Sequence, residues 1–435
     1  MLEKTLILGF GTTGKSFVDY LLSQNQQIKI YDGKPQKIPD MILKNKNIEF
    51  FQDIVPDNIL DNVFQVFISP GFNPQHQIMK MINDKKLNIS TDIDLFKKQT
   101  PSKIISVTGT NGKTTVVSMI EHVLRKLKIS CIACGNNGLP PLTITQSNYE
   151  YIILEISSYQ LEYMNNFKSF ISLLTNVTPD HLERHDTYKN YLMIKKKIFN
   201  DSDHCIANIK LKNQLDIKKM SYYGYEPKSK KYYINNKIQK NLLITDNLIK
   251  CNSTKLNYKG SHALENILSV ISVIENLNIN IDLENILDSI KSFKSLPHRI
   301  EKIASLDNVD WYNDSKSTNC ESTIAALNTL EKDIILIIGG SHKIIDYKYL
   351  SEEINQRVKK IIFVGQNKEI LKSELSLKID SYDAYDYEDA VNLIMSLVSP
   401  GDKVLLSPAS PSFDMFNNFE HRGDTFKKVV KKYVS

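Results

Sequence analysis

The stretch Ile104 to Thr115 reads Ile-Ile-Ser-Val-Thr-Gly-Thr-Asn-Gly-Lys-Thr-Thr: an apolar strand, a glycine-bearing turn, then Lys-Thr-Thr opening the amphipathic run Val116 to Leu127. A strand feeding such a turn into a helix aims several backbone N–H groups, and the positive end of the helix dipole, at one point. A polyphosphate fits there, with Lys113 reaching the β/γ phosphates and the Thr114 hydroxyl placed for Mg²⁺. Two residues separate Gly109 from Gly112, where the common P-loop has four between its glycines. Glu155 closes the strand Tyr151–Leu154, where Mg²⁺ beside a phosphate loop needs an oxygen ligand. His181, in Asn176-Val-Thr-Pro-Asp-His181, also follows a strand, and a neutral imidazole there can ligate a second cation. His185 reads as a surface histidine. Lys195, Lys196 and Lys197 form a charge run on a helix, by pattern alone a solvated face.

These residues need elements to position them. Strand Thr5–Leu8, turn Gly9-Phe-Gly-Thr-Thr-Gly14, helix Lys15–Gln24 and strand Ile28–Tyr31 ending at Asp32 make a dinucleotide-type fingerprint. A further strand, Val63–Ile68, ends at Ser69-Pro70-Gly71. A polar break from Lys97 to Ser102 precedes the phosphate loop. The strands Ile104–Val107, Tyr151–Ile156 and Ile171–Asn176 follow, then polar, hairpin-like sequence from Lys210 to Tyr258 and a helix over Ala263–Leu277. After Leu296-Pro-His-Arg299 the alternation restarts with strands Ile334–Ile338, Ile361–Val364 and Lys403–Leu406. Strands alternating with helices predict parallel sheets with right-handed crossovers, and 435 residues predict two or three domains.

Composition narrows the class. Hydrophobic residues at 41% and charged residues at 24% suit a soluble globular protein. The net charge of +6 is diffuse lysine, without the basic stripe interleaved with aromatics that nucleic acid requires. No segment has the length of a membrane span, and no signal peptide opens the chain, so neither membrane insertion nor export is expected. Five cysteines suit a reduced, cytoplasmic setting, and Cys131 with Cys134 reads as two buried strand cysteines in preference to zinc ligands.

The loop Gly109-Thr-Asn-Gly-Lys-Thr-Thr115 resembles that of the Mur ligases, ATP-dependent enzymes that build the peptidoglycan stem peptide, and of the related folylpolyglutamate synthetases. Leu154-Glu-Ile-Ser-Ser-Tyr-Gln-Leu-Glu162, Asn313-Asp-Ser-Lys-Ser-Thr-Asn319, Ser407-Pro-Ala-Ser-Pro-Ser-Phe-Asp414 and Phe416-Asn-Asn-Phe-Glu-His-Arg-Gly423 resemble blocks of the D-glutamate-adding members. The resemblance spans the chain from Gly9 to Arg422. It implies a three-domain α/β protein: a Rossmann-like N-terminal domain (1–97) for a UDP-sugar, a central P-loop-type ATPase domain (98–297) with a mostly parallel sheet, and a Rossmann-like C-terminal domain (298–435) for the amino acid. The implied substrates are ATP, UDP-N-acetylmuramoyl-L-alanine and D-glutamate, the implied setting cytoplasmic and the implied state monomeric.

Site roles follow from the same resemblance. Gly109, Thr110, Asn111, Gly112, Lys113, Thr114 and Thr115 would hold the ATP phosphates, Asn266 the adenine, Arg299 the phosphates and Asp314 the ribose. Gly9, Gly11, Thr12, Thr13, Gly14, Asp32, Ser69, Pro70 and Gly71 would serve the UDP portion, and Asn136, Ser157 and Gln160 the muramoyl-alanine end. Thr114, Glu155, His181 and Lys195 would ligate two Mg²⁺ ions. Tyr191 and Lys195 keep the family spacing for a lysine carbamylated by CO₂. Lys316 and Thr318 would face the acyl phosphate and incoming amino acid, with Lys343, Ser412 and Phe419 holding the D-glutamate side chain. Asp32-Gly-Lys34 departs from the family's uracil-contacting sequence, His342 and Ile344 flank Lys343 unusually, and Ser410-Pro411 replaces Cys-Ala. Two rival readings are a ligase for another amino acid and, from the first glycine turn alone, an NAD-dependent dehydrogenase.

Overall fold

The computed structural model describes residues 3–34, 37–136, 138–165, 167–224, 232–235, 242–245, 250–252, 261–277, 279–342 and 346–434. Three sheets follow one another along the chain.

The first has five parallel strands in the order Ile48–Gln52, Gln27–Asp32, Lys4–Leu8, Val63–Ile68, Asn88–Ser90. Its central strands are apolar runs because both sheet faces are covered; Leu6, Ile7, Leu8, Ile30 and Val66 are fully buried. The first helix begins at Thr12, inside the glycine turn and ahead of the predicted Lys15. Gly14 permits this: a Cβ there would lie 2.1 Å from the Gly9 carbonyl oxygen.

Among the described residues, the second sheet has nine strands, in the order Lys250–Asn252, Leu242–Thr245, Tyr232–Asn235, Met220–Tyr223, His204–Asn208, Ile171–Leu174, Lys103–Thr108, Tyr151–Glu155, Cys131–Gly135. Leu242–Thr245 runs antiparallel to both neighbours, as the hairpin-like sequence suggested. Met220–Tyr223 instead extends the parallel part. The expected break from Lys97 is shorter: the helix Asp92–Gln99, held by a Thr91–Asp94 capping box, runs through Lys97 and Lys98. Cys131 and Cys134 lie buried on their edge strand, where burial raises both thiol pKa values, that of Cys131 to about 11.

The third sheet has six strands, in the order Glu301–Leu306, Val309–Asn313, Lys403–Leu406, Ile334–Ile338, Val358–Phe363, Asp380–Asp383. All neighbours are parallel except the leading hairpin Glu301–Asn313. Asp307 and Asn308 make its turn with φ of 50° and 63°. Such a two-residue, left-handed turn matches strand twist, and the Asp-Asn pair was a hairpin signal passed over in sequence.

Core packing divides the molecule unevenly. Phe10, Phe17, Ile93 and Phe96 of the first sheet layer join Ile104, Leu142, Ile144 and Leu174 of the second in one apolar cluster. A further cluster fills the space between the helices Lys113–Lys126, Ser261–Glu275 and Leu283–Lys291. Among the described residues, neither cluster includes anything beyond Leu296, and the third sheet packs its own two clusters. No helix among the described residues is long and apolar enough to cross a membrane.

Candidate active site

The phosphate loop is built by close approach. A Cβ on Gly109 would lie 1.9 Å from Thr175 Oγ1, and one on Gly112, at φ 85°, 2.7 Å from Asn266 Oδ1. Only glycine fits either position. The loop is laced to the end of strand Ile171–Leu174: Thr110 N donates to Asn176 O and Asn111 N to Asn176 Oδ1, both at 2.9 Å, while Asn176 Nδ2 donates to Asn111 O at 2.9 Å. The helix Lys113–Lys126 then starts without a side-chain cap, leaving its first N–H groups for an anion. Lys113 Nζ turns back to donate to Gly109 O at 2.8 Å and Thr110 O at 2.9 Å. Its burial lowers the amine's pKa, which Glu155 and Asp180 partly restore.

Lys195 projects behind this loop and is 1% exposed. Its Nζ donates to the same Gly109 O at 2.8 Å and sits 4.7 Å from the centre of the Tyr191 ring. Two amines sharing one carbonyl would place like charges together; burial first, and Lys113 second, hold the Lys195 pKa well below its ordinary value. Lys197 turns elsewhere, to Glu162 O at 2.8 Å. Tyr191, noted in sequence only as a spacing mark, bonds Thr110 Oγ1 at 3.2 Å.

Glu155 is 2% exposed. Its Oε1 accepts from Asn136 Nδ2 at 3.0 Å, while Oε2 is buried without a partner among the described residues. Thr115 Oγ1, Thr178 Oγ1 and Arg299 Nε are likewise buried and unpartnered. Orphaned buried groups of this kind suit a bound cation and its phosphates. Thr114 lies on the same wall. His181, with φ of 55°, pairs Nδ1 with the Tyr159 hydroxyl at 3.1 Å, and its Nε2 is 3.8 Å from Asp180 Oδ2. Among the described residues, no three His, Cys, Asp or Glu side chains by themselves form a metal cluster. The expectation for His185 is corrected: it is 2% exposed, stacks on Tyr191 and bonds Ser158 Oγ at 3.0 Å. Burial lowers its pKa to about 4, keeping the ring neutral.

Arg299 and Lys316 approach from the third sheet unit. Arg299 stands between His298 and Ile300, whose φ values of 61° and 46° are left-handed. Lys316 Nζ lies 4.6 Å from the Phe419 ring centre, and burial, with Arg299 second, lowers its pKa to about 8. Asp314 is buried and raised to about 6 by desolvation. It accepts from Ile300 N at 3.2 Å, Ser317 Oγ at 2.5 Å and Ser407 Oγ at 2.8 Å. Thr318 and Phe419 line the cavity. Ser412 is buried away from the cavity wall, and Lys343 lies outside the described residues.

On the opposite side Thr12, Thr13 and Pro70 reach the wall, together with Asn136 and Gln160. Gly9, Gly11, Gly14, Ser69 and Gly71 shape the turn behind them, and Ser69 Oγ donates to Gly9 O at 2.9 Å. Asp32 holds the same turn, accepting from Phe10 N at 2.7 Å and Lys34 N at 2.9 Å. Ser157 and Gln160 form a capping box, which engages much of their polar capacity within the helix start. The three layers enclose one cleft of about 1270 Å³. Asp180 and Asn319 also line it; both stood in quoted motifs, at their ends, without a role assigned.

Known proteins bear on this cleft. The model of the MurD-like Mur ligase N-terminal domain matches residues 3–91, that of the Mur ligase middle domain 107–274, and that of the Mur ligase glutamate ligase domain 298–410. The chain is similar to the UDP-N-acetylmuramoylalanine–D-glutamate ligase of Buchnera aphidicola subsp. Baizongia pistaciae, at 33% identity over 441 residues, covering 99% of this chain and 98% of the relative. The enzyme of that name from Caldanaerobacter subterraneus subsp. tengcongensis is 31% identical over 442 residues, covering 98% of each chain. Among solved structures, the UDP-N-acetylmuramate-alanine ligase MurC of Thermotoga maritima shares the fold with a TM-score of 0.63 at 17% identity, covering 100% of both chains.

Proposed function

From a chain that belongs to the Mur ligase family, we infer a cytoplasmic, monomeric ATP-dependent ligase that joins D-glutamate to UDP-N-acetylmuramoyl-L-alanine. The observation that carries this reading is the convergence of Lys113, Glu155, Arg299 and Lys316, from separate elements, on one cleft. Residues 1–97 take the UDP-sugar, 98–297 the ATP and 298–435 the amino acid. The dehydrogenase reading is weaker, because it gives no role to the phosphate loop at Gly109 to Thr115 or to the block Asn313 to Asn319.

The chemistry follows from the charges. The acceptor carboxylate attacks the γ-phosphorus of ATP in line, and ADP leaves. Lys113 and Arg299 stand where negative charge accumulates, inside a partly enclosed cleft that strengthens their effect. Thr114, Glu155, His181 and a carbamate on Lys195 would hold two Mg²⁺ ions, which add charge neutralisation at the transferring phosphoryl group. The low pKa of Lys195 supports the carbamate, since only a neutral amine attacks CO₂. The D-glutamate amine, once deprotonated, attacks the acyl phosphate and expels phosphate. Lys316 and Thr318 lie by this centre and Phe419 on the cleft wall; the family likeness also assigns Lys343 and Ser412 to the side-chain site, although Ser412 is buried behind that wall.

Phosphate release that needs both UDP-N-acetylmuramoyl-L-alanine and D-glutamate tests the reading. L-glutamate, L-alanine and diaminopimelate serve as rival acceptors, and a preference for any of them rejects D-glutamate. With ¹⁸O in the acceptor carboxylate, one label should appear in the released phosphate; its absence rejects the acyl phosphate.

A further inference from the structure

We propose that Asn319 is a positioning residue that sets the amino-acid side of the cleft in register with the nucleotide loop. Its side chain is 5% exposed and works in two directions. Oδ1 accepts from Ser322 N at 3.0 Å, capping the helix Cys320–Leu330. A backbone N–H can only donate, so this contact fixes the amide's orientation and turns Nδ2 into the cleft. There Nδ2 donates to Asn111 Oδ1 and to Asp180 Oδ2, each at 3.2 Å. One amide therefore ties a helix of the third sheet unit to the phosphate loop and to the residue before His181.

Packing makes this polar link consequential. The first two sheets share an apolar cluster, whereas among the described residues none of their clusters reaches past Leu296. Across the cleft, register rests on directional contacts and not on a common core. Asn111 is itself fixed, through its backbone, to Asn176. Lys316 lies three residues before Asn319, in the same block. A shift of the phosphate loop is thereby transmitted to the side chain that faces the amino acid. Asn319 touches no reacting atom in this arrangement; it acts through Lys316.

The kinetic test rests on the ligase reading, so a structural readout accompanies it. Asn319→Ser and Asn319→Asp both retain a side-chain oxygen for the cap, and Asp further sets a carboxylate against Asp180. Asn319→Ser should melt within about 2 °C of the parent chain, because the cap persists, while the buried carboxylate pair of Asn319→Asp should lower the midpoint further. The KM for D-glutamate should rise about tenfold in Asn319→Ser and more in Asn319→Asp, with the KM for ATP changed less than twofold. Phosphate released per peptide formed should climb above one, as an unaligned acyl phosphate meets water. Small-angle scattering of the ligand-free chain should show a larger radius of gyration in both variants. An amino-acid KM within twofold of wild type in Asn319→Ser overturns the proposal, whatever its melting temperature. If the parent chain makes no peptide from D-glutamate, the ligase reading fails by itself, and unchanged scattering in both variants then overturns the positioning role independently.

Discussion

Lys195 shows what a single position can hide. Three consecutive lysines look alike in sequence, yet the helix Tyr188–Lys196 turns only Lys195 inward, onto the face that Tyr191 shares four residues earlier. Replacing Lys195 with alanine should lower kcat at least about a hundredfold, with partial rescue by formate or acetate. Lys196→Ala should stay within twofold, and equal losses in the two variants would contradict the assignment. Lys316 carries a pH signature. Its depressed pKa of about 8 means that the ammonium form is lost as pH rises through that value. The kcat/KM for D-glutamate, which reports the free enzyme, should therefore fall above pH 8, by about tenfold per unit at its steepest. A profile flat to pH 9.5 would remove Lys316 from amino-acid binding. His185 escaped the sequence reading for a physical reason: its burial comes from Ser158 and Tyr191, which only the tertiary fold brings to it.

Elements were legible where their period was strong. The parallel strands Ile334–Ile338 and Lys403–Leu406 matched the apolar runs residue for residue. The hairpin Glu301–Asn313 was not read, because Glu301, Lys302 and Ser305 dilute its first strand, whose register also shifts between Lys302 and Ala304. The chain enters that hairpin through Ile300, a β-branched residue at φ 46°. Such a conformation costs on the order of 1–3 kcal/mol. Ile300→Gly would relieve it, while losing the side chain's contacts with the third core. The relief should offset most of the loss, leaving the unfolding midpoint of that unit nearly unchanged. Val309→Gly, buried and in register on the same hairpin, should lower the midpoint clearly, and equal effects would argue against strain.

At the scale of the molecule, the order of motifs along the chain foretold three sheets, and all three exist. What the order could not convey is their unequal coupling: shared apolar burial joins the first two, and nothing in a linear pattern reports which buried faces meet. The same blindness left Asp180 and Asn319 unassigned, since their significance is a distance between motifs 139 residues apart. The third unit, hinged at His298–Ile300, should close on filled sites. Scattering with ATP analogue and UDP-sugar together should show a smaller radius of gyration than the free chain, and an unchanged radius would count against closure.

Lys113 rests on the carbonyls of Gly109 and Thr110, which bears on how the proposed ATP would be received. Protein groups alone hold the loop in shape, so on the proposed reading an arriving triphosphate would swap one set of oxygen acceptors for another and need not gather a coil around itself. Little ordering entropy would then be lost on entry, and the departing ADP would leave behind a pocket ready for its successor.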